Sequence, residues 1–304
     1  MEGHGRCRLL VAILMAVAGA VVAAQWPPYR SGVEVVTIAA TVRDADGRLV
    51  TKLPREAFEV YEDGARQPIT QFSSGRVPIS LGVLLDISDS MYGRRITEAR
   101  AAIDRFLLEL LDQSDEFFIL AFNHAPHILT QWTNNPAVVR RALDGVRPSG
   151  GTAEYDAVLA ALPMFERRSK PRASLLLVTD GADTASDATL SDVRWALLRS
   201  EAFVFAIAID PPEPRPINTI VNMQALNEMT AGSGGRAELV RNEADLVAAT
   251  SAIAEELNSQ YMIGYDAPRP ADGQFHSIRV RMTRSDYRVR ARSGYTAATS
   301  PRKK

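Results

Sequence analysis

Cysteine is almost absent from this 304-residue chain, with Cys7 the single example. One thiol excludes an internal disulfide framework and any cysteine-based zinc site. Net charge is equally scarce. The sum is -1, with 35 Lys and Arg against 36 Asp and Glu, so bulk electrostatics gives no case for nucleic acid. No Gly-x-Ser-x-Gly elbow, P-loop or His-Glu-x-x-His string occurs, which removes three common catalytic patterns. Internal repeats and long low-complexity linkers are missing as well. What is present is ordinary globular material, 46% hydrophobic and 23% charged. The length fits one large domain plus something smaller.

The first long apolar run lies at the start. Arg6 and Arg8 precede an unbroken apolar stretch from Leu9 to Ala24, which exits through Val22-Ala23-Ala24. A basic start, a short apolar centre and small residues at the exit describe a secretory signal peptide over residues 1–24, cleaved near Ala24. The run is short for a membrane span. The expected location is therefore outside the cell or in the periplasm or envelope. An uncleaved N-terminal anchor is the alternative and would be the sole membrane contact. Cys7 precedes the run, so it is not placed as a lipoprotein cysteine, and cleavage would remove it.

The remainder divides into three. Residues 33–76 are β-rich: Val33 to Val42 is a strand pattern, Phe58 to Glu62 alternates, Asp63-Gly64 is a turn signal, and Ile69 to Phe72 is a further short strand. Residues 78–257 alternate strands with helices. Leu81 to Leu85 is a continuous apolar run, as in a strand buried on both faces. The next strands are expected at Phe117–Phe122, Ser174–Thr179, Ala202–Ile209 and Ala237–Val240. Helices are expected near Ile96–Leu110, Pro136–Val146, Ala153–Phe165, Leu190–Ser200, Ile217–Ala231 and Glu243–Leu257. The fold class is thus α/β, a doubly wound, mostly parallel sheet. Residues 258–295 return to β patterns at Gln260–Tyr265, Ser277–Thr283 and Tyr287–Arg292. The two β-rich flanks are expected to pair into one small all-β domain, and residues 296–304 form a disordered tail.

Open α/β sheets bind ligands outside the carboxyl ends of their strands. Three features sit at such ends. Leu81–Leu85 runs into Asp86-Ile87-Ser88-Asp89-Ser90, Leu175–Val178 runs into Thr179-Asp180-Gly181, and Ser149-Gly150-Gly151-Thr152 opens a helix beside them. The gathered donors are all oxygen, which suits a hard cation, Mg²⁺ or Mn²⁺. The hydroxyls are neutral, so only Asp86 and Asp180 supply formal charge. A cation held this way is short of anionic oxygen and can accept a carboxylate from outside.

At these residues the chain resembles the von Willebrand factor type A domain and its metal-ion-dependent adhesion site. The match is Asp-x-Ser-x-Ser at Asp86, Ser88 and Ser90, threonine at Thr152, and Asp180 within Thr-Asp-Gly. The resemblance implies the doubly wound, Rossmann-like fold. It also implies that Asp86, Ser88, Ser90 and Thr152 ligate Mg²⁺, with Asp180 acting directly or through water. The partner would be a protein supplying a Glu or Asp carboxylate, in a binding or adhesion role without catalysis. The flanks, including Glu62-Asp63-Gly64, Gln260-Tyr261 and Arg292-Ser293-Gly294-Tyr295, look like secreted or envelope bacterial proteins in which a type A domain is set in a β-rich frame.

Plainer readings compete. Asp86, Ser88 and Ser90 are good helix caps. Asp89 and Asp183 read as solvated or supporting acids. His124 and His127 lack a third zinc ligand. Arg279, Arg281, Arg288, Arg290 and Arg292 alternate as on a solvated sheet face. Trp132 and Trp195 read as packing residues, and Tyr92 as a neighbour of the metal loop. Two other functions stay open: a scaffold with a structural metal that binds partners through its β frame, and a metal-dependent hydrolase.

Overall fold

The strand that reads ISLGVLLD has every residue buried, and the rest of the molecule is arranged about it. A computed structural model describes residues 35–110, 112–210, 220–268 and 272–297. The leader expected over residues 1–24, Cys7, Trp26 and residues 298–304 lie outside the described residues; of the disordered tail expected over 296–304, Thr296 instead ends a strand paired with Phe275 and Ala297 is buried. Among the described residues no helix is long and apolar enough to cross a membrane.

In chain order the strands are β1 (Val35–Arg43), β2 (Phe58–Glu62), β3 (Ala65–Gln67), β4 (Gln71–Ser73), β5 (Ile79–Asp86), β6 (Glu116–Phe122), β7 (Pro126–Ile128), β8 (Arg172–Thr179), β9 (Phe203–Ile209), β10 (Ala237–Val240), β11 (Tyr261–Asp266), β12 (Phe275–Met282), β13 (Arg288–Ala291) and β14 (Gly294–Thr296). The α-helices are α1 (Arg94–Arg105), α2 (Pro136–Asp144), α3 (Glu154–Ala161), α4 (Leu190–Arg199), α5 (Met223–Ala231) and α6 (Glu243–Asn258).

The central sheet has the order β10-β9-β8-β5-β6-β7. All its neighbours are parallel except β7, which pairs antiparallel with β6 at the edge. Helices cover both faces, so strand residues alternate between two cores. Leu81, Val83 and Leu85 pack with Ile96, Ile103 and Ile253 of α1 and α6. Leu84 faces Val158 of α3 and Leu197 of α4. Gly82 is small by necessity, because a Cβ there would lie 2.5 Å from the Phe118 ring. Chain order reverses at β5, since β6 lies on one side and β8 on the other. The carboxyl ends of β5 and β8 are therefore the switch point of the sheet.

Strands from both flanks form two antiparallel sheets, β13-β1-β11-β4 and β14-β12-β2-β3. Their shared core includes Ile38, Val60, Tyr261, Ile263 and Ile278. Asp63 and Gly64, at φ of 47° and 82°, make the two-residue turn of the β2–β3 hairpin. Glu256, near the end of α6 and fully buried, ties this frame to the central domain. It accepts from Thr41 Oγ1 (3.1 Å), Arg43 (3.1 Å), Arg236 (3.1 Å) and Arg290. Burial alone would push its carboxyl up, but Arg290, Arg236 and Arg43 outweigh it and hold the group below the usual range.

Several sequence expectations need correction. The helix expected over 153–165 is α only to Ala161 and then tightens into a 3₁₀ segment, Leu162–Arg167, where Pro163 cannot supply a backbone donor. The part of the helix expected from Ile217 that is described begins at Met223. The turn expected at His124–His127 contributes β7, too short to show alternation. Arg290 and Arg292 do not lie on a solvated face. The first neutralises Glu256, and the second is buried with its guanidinium over the Tyr295 ring. Trp132 packs on Phe118 and Phe165 as expected, whereas Trp195 is 55% exposed.

Candidate metal centre

Asp86 closes β5 and Asp180 follows β8, and both are fully buried. Backbone bonds hold the three loops of the switch edge together. Asp89 N donates to Gly150 O (2.9 Å), Ser149 N to Ile87 O (2.8 Å) and Thr184 N to Thr152 O (2.8 Å). Gly150, at φ +78°, adopts the left-handed conformation that lets its loop pass beside His124.

The five residues singled out in the sequence converge here. Ser90 Oγ donates to Asp180 Oδ1 at 2.6 Å, and Ser88 Oγ lies 3.0 Å from Ser90 Oγ. Asp86 is held at both oxygens, by Ser88 N (2.8 Å) and by Thr179 Oγ1 (2.6 Å). Ser88, Ser90 and Thr152 line a cleft of about 320 Å³ together with Gly150, Gly151 and Gly181. Capping does not account for the serines. Ser88 precedes a 3₁₀ turn, Asp89–Met91, without making a side-chain cap, and α1 begins after Gly93, also uncapped.

Burial pushes the Asp86 carboxyl up to about 6 against the pull of Thr179 and Ser88. A third acid, Glu154, was not anticipated. It is buried at the start of α3, and its Oε2 has no hydrogen-bond partner. Burial, then Asp86 and Asp183, raise its pKa well above the usual range. The nearby cation is Arg95, 3.4 Å from Asp180 Oδ2 and donating to Ser90 O at 2.6 Å. Asp86 and Asp180 bring two buried carboxylates beside the hydroxyl-lined cleft, with Glu154 held toward its neutral form behind them, so the donors fit a divalent cation. One signal in the sequence pointed to Glu154: an acid directly after Gly-Gly-Thr-Ala, where the following helix turns its apolar face inward.

The neighbours have other duties. Asp183 accepts from Tyr155 N (3.0 Å) and from Ser186 Oγ (2.5 Å), which ties the loop after β8 to the start of α3. Asp89 is exposed, and Tyr92 is 78% exposed beside the loop. His124 and His127 are exposed with rings 6.5 Å apart, and His127 Nε2 lies 3.4 Å from Asn123 Oδ1.

Residues 81–182 match the family model of the von Willebrand factor type A domain. Over this third of the chain the protein is similar to a type A domain. The matched segment runs from β5 through the loop after β8 and so contains both halves of the switch edge. Among curated proteins, inter-alpha-trypsin inhibitor heavy chain H4 of Bos taurus is 28% identical over 127 residues, which is 38% of this chain and 14% of that protein. Among solved structures, a von Willebrand factor type A protein from Catenulispora acidiphila aligns with 90% of this chain and 76% of its own, at 12% identity and a TM-score of 0.52. An aerotolerance-related membrane protein from Bacteroides fragilis aligns with 59% of this chain and 98% of its own, at 20% identity and a TM-score of 0.50. At these identities the structural matches speak to the fold.

Proposed function

We propose that the cleft of the type A domain holds Mg²⁺ or Mn²⁺ through Asp86, Ser88, Ser90, Thr152 and Asp180, and that the ion grips a Glu or Asp carboxylate of a partner protein. The chain would act as a secreted or envelope-associated adhesion or interaction module, exported by residues 1–24. The observation that carries this reading is the pairing of three hydroxyl residues that line an open cleft with two fully buried aspartates bonded to the first two of them, Asp86 to Ser88 N and Asp180 to Ser90 Oγ. Buried carboxylates demand a counter-charge. The other donors are neutral hydroxyls, so an ion bound here would keep Lewis acidity toward a carboxylate arriving at an open position. Asp86 and Asp180 carry the charge, and Thr179 and Ser90 fix their oxygens. Tyr92, exposed two residues after Ser90, offers an aromatic contact to the partner.

Calorimetry with Mg²⁺ and Mn²⁺ tests the metal, and Asp86→Ala should remove the binding. A pull-down from envelope extract with Mg²⁺ or with EDTA tests the carboxylate grip. If Asp180→Ala removes the metal yet leaves capture intact, the β frame and not the cleft is the partner surface.

A further inference from the structure

A second constellation lies at the hairpin end of the β frame, away from the type A cleft. Glu62 ends β2, Asp63 begins its turn, and His276 sits on the paired strand β12. Each has one polar atom tethered and another turned to a shared point. Glu62 Oε2 accepts from Tyr265 Oη (2.5 Å) and Tyr295 Oη (3.3 Å), while Oε1 lies 3.9 Å from His276 Nδ1. Asp63 Oδ1 accepts from Ser277 N (2.9 Å) and Oγ (3.1 Å), while Oδ2 lies 2.8 Å from His276 Nδ1. His276 Nε2 lies 3.2 Å from Asp272 Oδ1, which leaves Nδ1 facing both carboxylates. Glu62 and His276 are both 2% exposed.

We propose that Glu62, Asp63 and His276 form a second metal site, of the Zn²⁺ class, that clamps the two flanks of the frame together. One atom from each residue lies within 4.8 Å of the other two. The separations from His276 Nδ1, 2.8 Å to Asp63 Oδ2 and 3.9 Å to Glu62 Oε1, lie on either side of the about 3.4 Å edge of a tetrahedral shell with ligands at about 2.1 Å, and the exposed Asp63 side chain has room to adjust. The mixed donor set selects the metal, because imidazole with carboxylate favours zinc over magnesium or calcium. The outer contacts are those a metal-bound histidine needs: an acid on the far ring nitrogen to fix the tautomer, and donors on the far carboxylate oxygens. Two carboxylates and a neutral imidazole cancel the ion's charge in this mostly buried place, and water completes the shell. The occupant that competes for the same point is a proton on Nδ1, which would make His276 an imidazolium between Asp63 and Asp272.

The clamp joins residues 213 apart in the chain. A disulfide commonly does this in exported domains, and this chain has no cysteine beyond Cys7.

The test uses the full chain carrying Asp86→Ala, so that the type A cleft takes no metal. After EDTA treatment it is titrated with Zn²⁺ by calorimetry, and its melting temperature is measured with and without Zn²⁺. One equivalent should bind, with a rise in melting temperature of several degrees, because ligands that bind only the folded state stabilise it. Asp63→Asn keeps the turn, since asparagine tolerates positive φ, and should weaken Zn²⁺ at least about tenfold. Asp272→Asn should weaken it by about 10–100-fold through the far ring nitrogen. The proposal is overturned if the Asp86→Ala chain takes up no equivalent of Zn²⁺. It is equally overturned if Asp63→Asn binds Zn²⁺ unchanged, which would place the ion elsewhere, for instance at His124 and His127.

Discussion

Ser90 Oγ donates to Asp180 Oδ1 at 2.6 Å, across 90 residues of chain and between the loops that follow two adjacent parallel strands. This bond joins the third and last members of the five-residue set. Ser90→Ala should leave Asp180 without its hydroxyl partner while keeping the backbone of the loop. The expected outcome is a loss of Mg²⁺ affinity of about 10–100-fold, read by calorimetry, with an unchanged far-ultraviolet circular dichroism spectrum.

Glu154 should work against stability when no cation is present. Its buried carboxyl has an unpartnered oxygen and two acidic neighbours. Glu154→Leu keeps the side chain's approximate size and removes the desolvation cost. In EDTA the variant should be more stable than the parent by about 1–3 kcal/mol in urea unfolding. The same variant should bind Mg²⁺ more weakly. Equal or lower stability would show that Glu154 is compensated in solution.

Glu256 should give the frame an acid-sensitive lock. Its folded pKa is depressed, so the unfolded chain takes up its proton first as pH falls. The stabilisation is complete above the ordinary glutamate value of 4.5 and is lost as pH drops from there through the lower folded value. Glu256→Gln should cost about 3–5 kcal/mol at pH 7, since Arg43, Arg236 and Arg290 keep their charges near a neutral group. Its stability should also lose part of the fall between pH 5 and pH 3 that the parent shows. Urea unfolding of both proteins across that range checks the point.

Gly82→Ala tests the core of the central sheet. The added methyl would meet Phe118 at 2.5 Å and Leu175 at 2.7 Å. Overpacking of this kind costs about 1–3 kcal/mol, and thermal unfolding should show it as a lowered midpoint with the metal cleft intact.

The central sheet was legible because a parallel strand buried on both faces shows as a run such as Leu81–Leu85, and because helix periodicity survives between such runs. That the two flanks pair was legible from their β patterns on either side of the α/β segment; their division into two antiparallel sheets was not. The short strands β3, β7 and β14 were not, since three residues carry no usable period. The five oxygen donors stood out because strand ends are marked in the sequence. Glu154 did not, because its burial depends on how α3 turns against β5. The Glu62, Asp63 and His276 group was hidden for a different reason: it exists only once β2 and β12 are paired. Arg290 of β13 misled because alternation shows which side a residue takes and not whether that side is covered. Glu256 of α6 covers it.

The placement of β1 between β11 and β13 fixes an order of events during synthesis. Ala40 must wait for Tyr261 before it has a partner. At ordinary elongation speeds that wait is on the order of 10–40 s. The central sheet can close in the meantime, because β5, β6, β8 and β9 all emerge earlier than β11. Throughout that interval β1 is an unpaired apolar strand, the kind of edge on which chains aggregate. A holding chaperone that covers residues 35–43 until β11 and β13 arrive would protect the step at which this topology is most exposed.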